Sequence, residues 1–275
     1  MLTLFSLLVL FCGAFYFTYN EGLPTGKQGV AAEKLAYKML NALDYEAYKE
    51  TNFLSWTFRG KHHYQWSKNQ NRCSVQWEDF TVQLDLKNKH NSTVSVGGQP
   101  YSGKEKEQLI SKALAYFNND SFWLVAPYKV FDVGVERRLV KQKDGFDALL
   151  VTYTSGGTTP GDSYLWILNK NYLPTSFKMW TKIIPLGGVS ATWSDWKNTE
   201  SGIKLPTKHT LSLFGLEISM GTVKAVNLKA NILANSILKA INNEAYKKTR
   251  FLEWSFGGKR SFKWDKEKNI VAVSW

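Results

Sequence analysis

The chain has 275 residues and a net charge of +12, from 35 Lys and Arg against 23 Asp and Glu. Hydrophobic residues make up 44% and aromatics 15%, enough to bury a core and too many for a disordered chain. Seven prolines without a glycine period and two cysteines exclude a collagen-like chain and a disulfide scaffold.

The chain opens on residues 2–17, LTLFSLLVLFCGAFYF, which carry no charge; the first charged side chain is Glu21. This run is short for a spanning helix and long for the apolar part of a signal peptide. Residues 1–19 therefore read as a signal peptide or membrane anchor, with Tyr16, Phe17 and Tyr19 suited to an interface. Cys12 raises lipidation, but Phe11 stands where a small residue is needed. Residues 20–30 read as a linker because Gly22, Pro24, Gly26 and Gly29 interrupt any regular element. Export would place the rest in the periplasm or cell envelope. Cys73 then has no intramolecular partner and reads as a small strand residue.

Residues 31–43 put Leu35, Met39, Leu40 and Leu43 on one helical face. A second short helix over 44–52 has Asp44 as its N-cap. Strand patterns follow. Leu54, Trp56 and Phe58 alternate with polar residues, Arg59-Gly60-Lys61 turns the chain, and Tyr64 and Trp66 alternate again. Residues 75–77 and 80–86 continue the pattern, and Gly97-Gly98 marks a turn. Residues 103–118 form the clearest amphipathic helix, with Leu109, Ile110, Ala113 and Phe117 on one side. An apolar stretch, 122–132, is broken by Pro127. Strands return at 135–140, 147–154, 163–169, 175–182, 188–194, 207–214 and 216–225.

Self-comparison exposes a duplication. Residues 35–77 and 233–275 align without gaps, and twenty of 43 positions are identical. The shared residues include the EAYK tetrapeptide, Phe53/Phe251, Trp56/Trp254, Phe58/Phe256, Gly60/Gly258, Trp66/Trp264 and Trp77/Trp275. Residues 31–226 thus form one domain, and 227–275 read as an incomplete second copy, a helix plus hairpin. Such a unit cannot bury its own Trp254, Phe256, Trp264 and Trp275. It is expected to be poorly packed, or borrowed onto the preceding domain.

Helices at the start and middle of an antiparallel run predict an α+β fold. The expected form is a strongly curved open antiparallel half-barrel of about ten or eleven strands covered by helices. Export segment, leading helix, WxF hairpin, mid-chain helix and many strands together resemble the LolA/LolB-type periplasmic lipoprotein-carrier superfamily over residues 31–226. The segments NNDSFWLVAPYKVFD, LLVTYTSGGTTPGDSYLW and MWTKIIPLGGVSATWSDW resemble exported proteins of Bacteroidota. The resemblance implies a half-barrel that binds acyl chains, and an extracytoplasmic compartment. It carries over no functional residue.

Chemistry-bearing patterns are few. The four histidines lack metal-ligand spacing, and His62 and His63 are adjacent on a strand, so they point to opposite faces. Gly161-Asp162-Ser163-Tyr164 resembles a hydrolase block, but no downstream Asp-x-x-His accompanies it, and a tight loop explains it. No catalytic residue, metal site or cofactor is expected. Basic and aromatic residues interleave in 59–72, yet strand alternation accounts for them as core and solvated face, so nucleic acid is not an expected partner. A membrane surface is, because positive charge meets anionic headgroups. Eleven tryptophans suggest an aromatic-lined cavity. The expected lining is Tyr64, Trp66, Trp77, Trp123, Trp166 and Trp180, with Arg137 and Arg138 at a headgroup. The expected function is an exported, membrane-associated, non-enzymatic binding protein holding a lipid, acyl chain or lipidated protein. The alternative is a non-catalytic structural or interaction module of the cell envelope with a filled core.

Overall fold

A computed structural model describes residues 13–143, 145–156, 158–228 and 237–275. Most of the expected signal or anchor segment, Cys12 included, lies outside the described residues; residues 13–19 are helical. Among the described residues no helix is long and apolar enough to cross a membrane. The chain divides into two compact units, Met1–Asn227 and Leu228–Trp275. Its class is α+β, mostly antiparallel sheets with a few helices.

The first unit opens with α1 (Val30–Ala42), whose Ala32, Leu35, Ala36, Met39 and Leu40 are buried, the three-to-four spacing of a core-facing stripe. Asp44, at φ 62°, then caps α2 (Tyr45–Glu50), its side chain accepting from Ala47 N at 3.5 Å. Six strands follow: β1 (Phe53–Phe58), β2 (His62–Ser67), β3 (Arg72–Trp77), β4 (Phe80–Asp85), β5 (Thr93–Val96) and β6 (Gln99–Tyr101). The β1–β2 loop is the three residues Arg59 to Lys61, with Arg59 and Gly60 both at positive φ and Lys61 N donating to Phe58 O at 3.0 Å. Leu54, Trp56 and Phe58 face inward with Tyr64 and Trp66, and the register pairs Trp56 with Tyr64.

Helix α3 (Lys106–Val125) is longer than its sequence pattern suggests. The Asn118-Asn119-Asp120 run reads as a breaker by propensity, but Asp120 is buried and fully partnered, so the helix continues. It ends where Pro127 enters a 3-10 turn, Ala126–Lys129. Five strands build a second sheet: β7 (Val135–Lys141), β8 (Asp147–Tyr153), β9 (Ser163–Leu168), β10 (Pro174–Trp180) and β11 (Val189–Thr192). Short strands close the unit: β12 (Lys197–Asn198), β13 (Lys204–Leu205), β14 (Lys208–Thr210), β15 (Glu217–Ser219) and β16 (Lys224–Val226).

The first sheet has order β16-β1-β2-β3-β4-β5-β6 and the second β11-β10-β9-β8-β7. All described pairings within them are antiparallel. Backbone hydrogen bonds link the two. Thr57 N donates to Met220 O at 3.1 Å and Arg59 N to Ser219 O at 2.8 Å. That puts β15 beside β1, while β15 pairs with β14. Bridges Ser194–Lys208 and Ala191–Leu211 carry the chain of contacts to β11.

The glycine-rich segment after residue 19 is docked rather than loose. Lys27 forms an antiparallel bridge with Leu139, and Glu21 N donates to Gly187 O at 2.9 Å. The second unit contains α4 (Asn243–Lys248), β17 (Phe251–Phe256), β18 (Arg260–Asp265) and β19 (Ile270–Ser274), so three strands follow its helix instead of a hairpin alone.

Candidate functional site

The interior aromatics gather on both sides of α3. On the first sheet, Trp56 stacks on Tyr64 with centroids 4.5 Å apart, Trp66 meets Phe117 at 5.3 Å and Trp77 meets Tyr116 at 5.5 Å. On the second, Trp166 lies 5.5 Å from Trp193 and 5.3 Å from Phe177, and Trp123 lies 5.6 Å from Phe177. Tyr64, Trp66, Trp77, Trp123 and Trp166 therefore all belong to one packed cluster. Ring pairs at these separations are offset-stacked or edge-to-face contacts. The indole N–H groups of Trp56, Trp66, Trp77, Trp166 and Trp193 are buried with no hydrogen-bond acceptor.

Trp180 stands apart. It lines a cleft of about 300 Å³ with Asn20, Glu21, Asp162 and Lys182. The Trp180 indole and the Glu21 and Asp162 carboxylates there are already engaged. Trp180 Nε1 donates to Glu21 O at 2.7 Å, the Glu21 carboxylate takes Lys178 Nζ at 2.6 Å, and Asp162 accepts from Lys182 N at 3.0 Å. Arg137 and Arg138 are engaged too. Arg137 Nε bonds both Glu33 oxygens at 3.0 Å, and its Nη1 donates to Val130 O and Val135 O. Arg138 Nη2 donates to Glu136 at 2.9 Å.

Asp120 anchors a buried polar cluster that sequence reasoning missed. One carboxylate oxygen accepts from Tyr64 Oη at 2.5 Å and His62 Nδ1 at 2.7 Å; the other accepts from Asn119 Nδ2 at 2.8 Å. His62 stacks on Tyr116, with centroids 4.0 Å apart. Burial, and then the neighbouring carboxylate, hold the Tyr64 hydroxyl far above the usual phenol range. The signal was the strand period, which places 62 and 64 on one face; their partner lies on a helix more than 50 residues away. Asp120→Ala removes the acceptor of three donors, Tyr64 Oη, His62 Nδ1 and Asn119 Nδ2. The expected loss is about 2 kcal/mol or more, measured by urea unfolding, and adding Tyr64→Phe recovers part of it. An unchanged midpoint would defeat this account.

Elsewhere, His63 contacts Thr57 Oγ1 at 3.2 Å on the other face of β2. Ser163 Oγ pairs with Thr152 Oγ1 at 2.9 Å, while His209 Nδ1 meets Thr192 O at 2.8 Å, so each of the two has a local partner. Among the described residues, no three His, Cys, Asp or Glu side chains come together as a metal site. Burial pushes the Cys73 thiol well above its ordinary range, which leaves it unreactive.

The larger cleft, about 470 Å³, lies between α1, the strands β7 to β9 and the β9–β10 turn. Leu35, Leu139, Phe146 and Leu168 supply apolar surface, and Lys34, Lys38 and Lys170 supply positive charge. Lys34 and Lys38 sit one helical turn apart on α1. Lys38 Nζ donates to Tyr172 Oη at 3.0 Å, and Asn169 Oδ1 shapes the turn by accepting from Asn171 N and Leu173 N. Among the described lining residues Asp147 is the only acid, and it is paired with Lys141 at 2.6 Å. Apolar walls with excess positive charge are the complement of an amphiphile with an anionic head. Sequence reasoning missed this site. The i, i+4 lysines were legible, but nothing local joins them to a turn 130 residues away.

No family model matches the chain, and no curated protein matches it. Among solved structures, it is similar to a DUF1329 family protein from Desulfovibrio piger ATCC 29098, solved at 1.75 Å. The TM-score is 0.35 at 12% identity, over 71% of this chain and 91% of that one.

Proposed function

We propose that the first unit is a non-enzymatic binding protein for an anionic amphiphile, such as an acyl chain, an acidic lipid or the lipid group of a lipidated protein. The carrying observation is the cleft beside α1, where Leu35, Leu139, Phe146 and Leu168 meet Lys34, Lys38 and Lys170. Its volume is in the range of small-molecule sites. Each methylene buried there contributes about 0.8 kcal/mol. In this reading the antiparallel ribbon that passes from the first sheet through β15 and β14 to the second is an open half-barrel of the LolA/LolB type. The uncharged run at residues 2–17 supports export to the periplasm or envelope, and the net charge of +12 supports attraction to an anionic membrane rather than to nucleic acid.

The test is displacement of a fluorescent fatty acid from the purified chain, with native mass spectrometry for co-purifying lipid. Ala31→Trp fills the cleft from its exposed rim and is expected to weaken binding at least about tenfold, roughly 1.4 kcal/mol. Lys34→Glu combined with Lys38→Glu and Lys170→Glu is expected to weaken a fatty acid much more than its methyl ester. A clean apo mass with no displacement defeats the proposal. That outcome favours the second reading, a structural or interaction module, which the packing of Trp166, Phe177 and Trp193 supports.

A further inference from the structure

The second unit repeats the opening fold of the first in local detail. Asn242, at φ 54°, precedes α4 as Asp44 precedes α2. Thr249 Oγ1 donates to Ala245 O at 2.8 Å, as Thr51 Oγ1 does to Ala47 O. Lys266 Nζ lies 3.6 Å from the Tyr246 ring centroid, and Lys68 Nζ lies 3.8 Å from that of Tyr48. Trp254 pairs with Phe262 and Trp264 with Val271, the registers of Trp56 with Tyr64 and Trp66 with Cys73.

Burial is where the copies differ. Trp56, Phe58, Val75 and Trp77 are 2%, 8%, 0% and 2% exposed, whereas Trp254, Phe256, Val273 and Trp275 are 45%, 72%, 44% and 94% exposed. In the first unit this face is covered by α3. Tyr116 and Phe117 lie on its tryptophans, and Asp120 meets His62 and Tyr64. In the second unit Arg260 occupies the position of His62 and Phe262 that of Tyr64. The apolar character of the face is retained; of its two polar points, the Tyr64 hydroxyl is lost at Phe262 and His62 becomes a permanent cation at Arg260.

We propose that this face of the second unit docks an amphipathic helix of a partner polypeptide. That helix carries a pair of aromatic side chains and, one turn further on, a carboxylate that pairs with Arg260. The duplication is the reason for choosing a helix: the same strands with the same inward residues are covered by one in the first unit. The change from His62 to Arg260 is the reason for requiring an acid, because a buried guanidinium needs a charged acceptor. This inference is independent of the cleft in the first unit.

The probe is a labelled peptide with the sequence of residues 104–125, titrated into the full chain and followed by fluorescence anisotropy. Saturable binding is expected. Trp254→Ala in the chain is expected to weaken it at least about tenfold. An Asp120→Arg change in the peptide is expected to weaken it similarly, and Arg260→Asp in the chain to restore it. Arg260 is exposed, so that variant keeps the result readable if Trp254→Ala disturbs folding. Absence of saturable binding overturns the proposal, as does binding indifferent to both chain variants. Sedimentation supplies the other two reversals. A dimer abolished by Trp254→Ala would assign the face to a second copy of the chain. Co-sedimentation with phosphatidylcholine–phosphatidylglycerol vesicles, lost in the same variant and without peptide binding, would assign it to a membrane.

Discussion

Replacing Trp166 with alanine is expected to lower the unfolding free energy of the first unit by about 3–5 kcal/mol. Trp166 is fully buried on β9. Its ring is within 5.3–6.0 Å of those of Phe122, Tyr164, Phe177 and Trp193. These neighbours come from a helix and from three strands or strand ends, so no single side chain can move in to fill the space. Truncation removes both the transfer free energy of the ring and the dispersion contacts of its neighbours. Trp166→Phe keeps most of the contacts and should lose much less. The indole N–H has no acceptor to leave behind, so the phenylalanine variant isolates the packing term. Guanidinium unfolding of both variants measures the difference. A loss below about 1 kcal/mol for the alanine variant would show that the interior collapses freely, and the filled-core description would fall.

The second large effect is a loss of stability in mild acid, caused by His209. This side chain is wholly buried between Trp193 and Trp123, with ring centroids 4.7 and 5.3 Å away. Its Nδ1 lies 2.8 Å from Thr192 O. A carbonyl only accepts, so Nδ1 carries the proton of the neutral ring. Burial lowers the pKa of His209 from 6.5 to about 4, against a smaller opposing effect of nearby backbone groups. The unfolded chain therefore binds more protons than the folded one between those values. Stability contributed by the neutral ring is complete above pH 6.5, falls as the pH drops, and is gone below about 4. The difference corresponds to about 3 kcal/mol. His209→Gln should remove this limb from the pH dependence even where it lowers stability at neutral pH. Chemical unfolding of both proteins from pH 7 to pH 4 tests it. Parallel curves would refute the assignment.

Much of the local structure was legible. The three-to-four spacing of Leu35, Met39 and Leu40 announced α1, and the alternation through Trp56 and Tyr64 announced β1 and β2 with their inward faces. Asp44 and the Arg59-Gly60 turn were readable for the same reason: each states a backbone requirement within a few residues. The length of α3 was not legible. Asn118, Asn119 and Asp120 disfavour a helix locally, and the gain that overrides them comes from His62 and Tyr64 on a distant strand. The cleft was hidden for a similar reason, since Lys34 and Lys170 share a wall only after α1 settles on the second sheet.

Two copies of one segment separate local from tertiary control in this protein. Pattern and turn chemistry by themselves determined the left-handed residue before the short helix, the helix itself and the strand register, and both copies adopt them, because those interactions act over neighbouring residues. Whether the resulting tryptophans are core or surface was decided only by tertiary structure. Trp56 and Trp254 stand at equivalent places with equivalent stacking partners. One is buried because α3 folds back over it, and the other is exposed, since burial depends on what the rest of the molecule brings to the face and not on the strand that presents it.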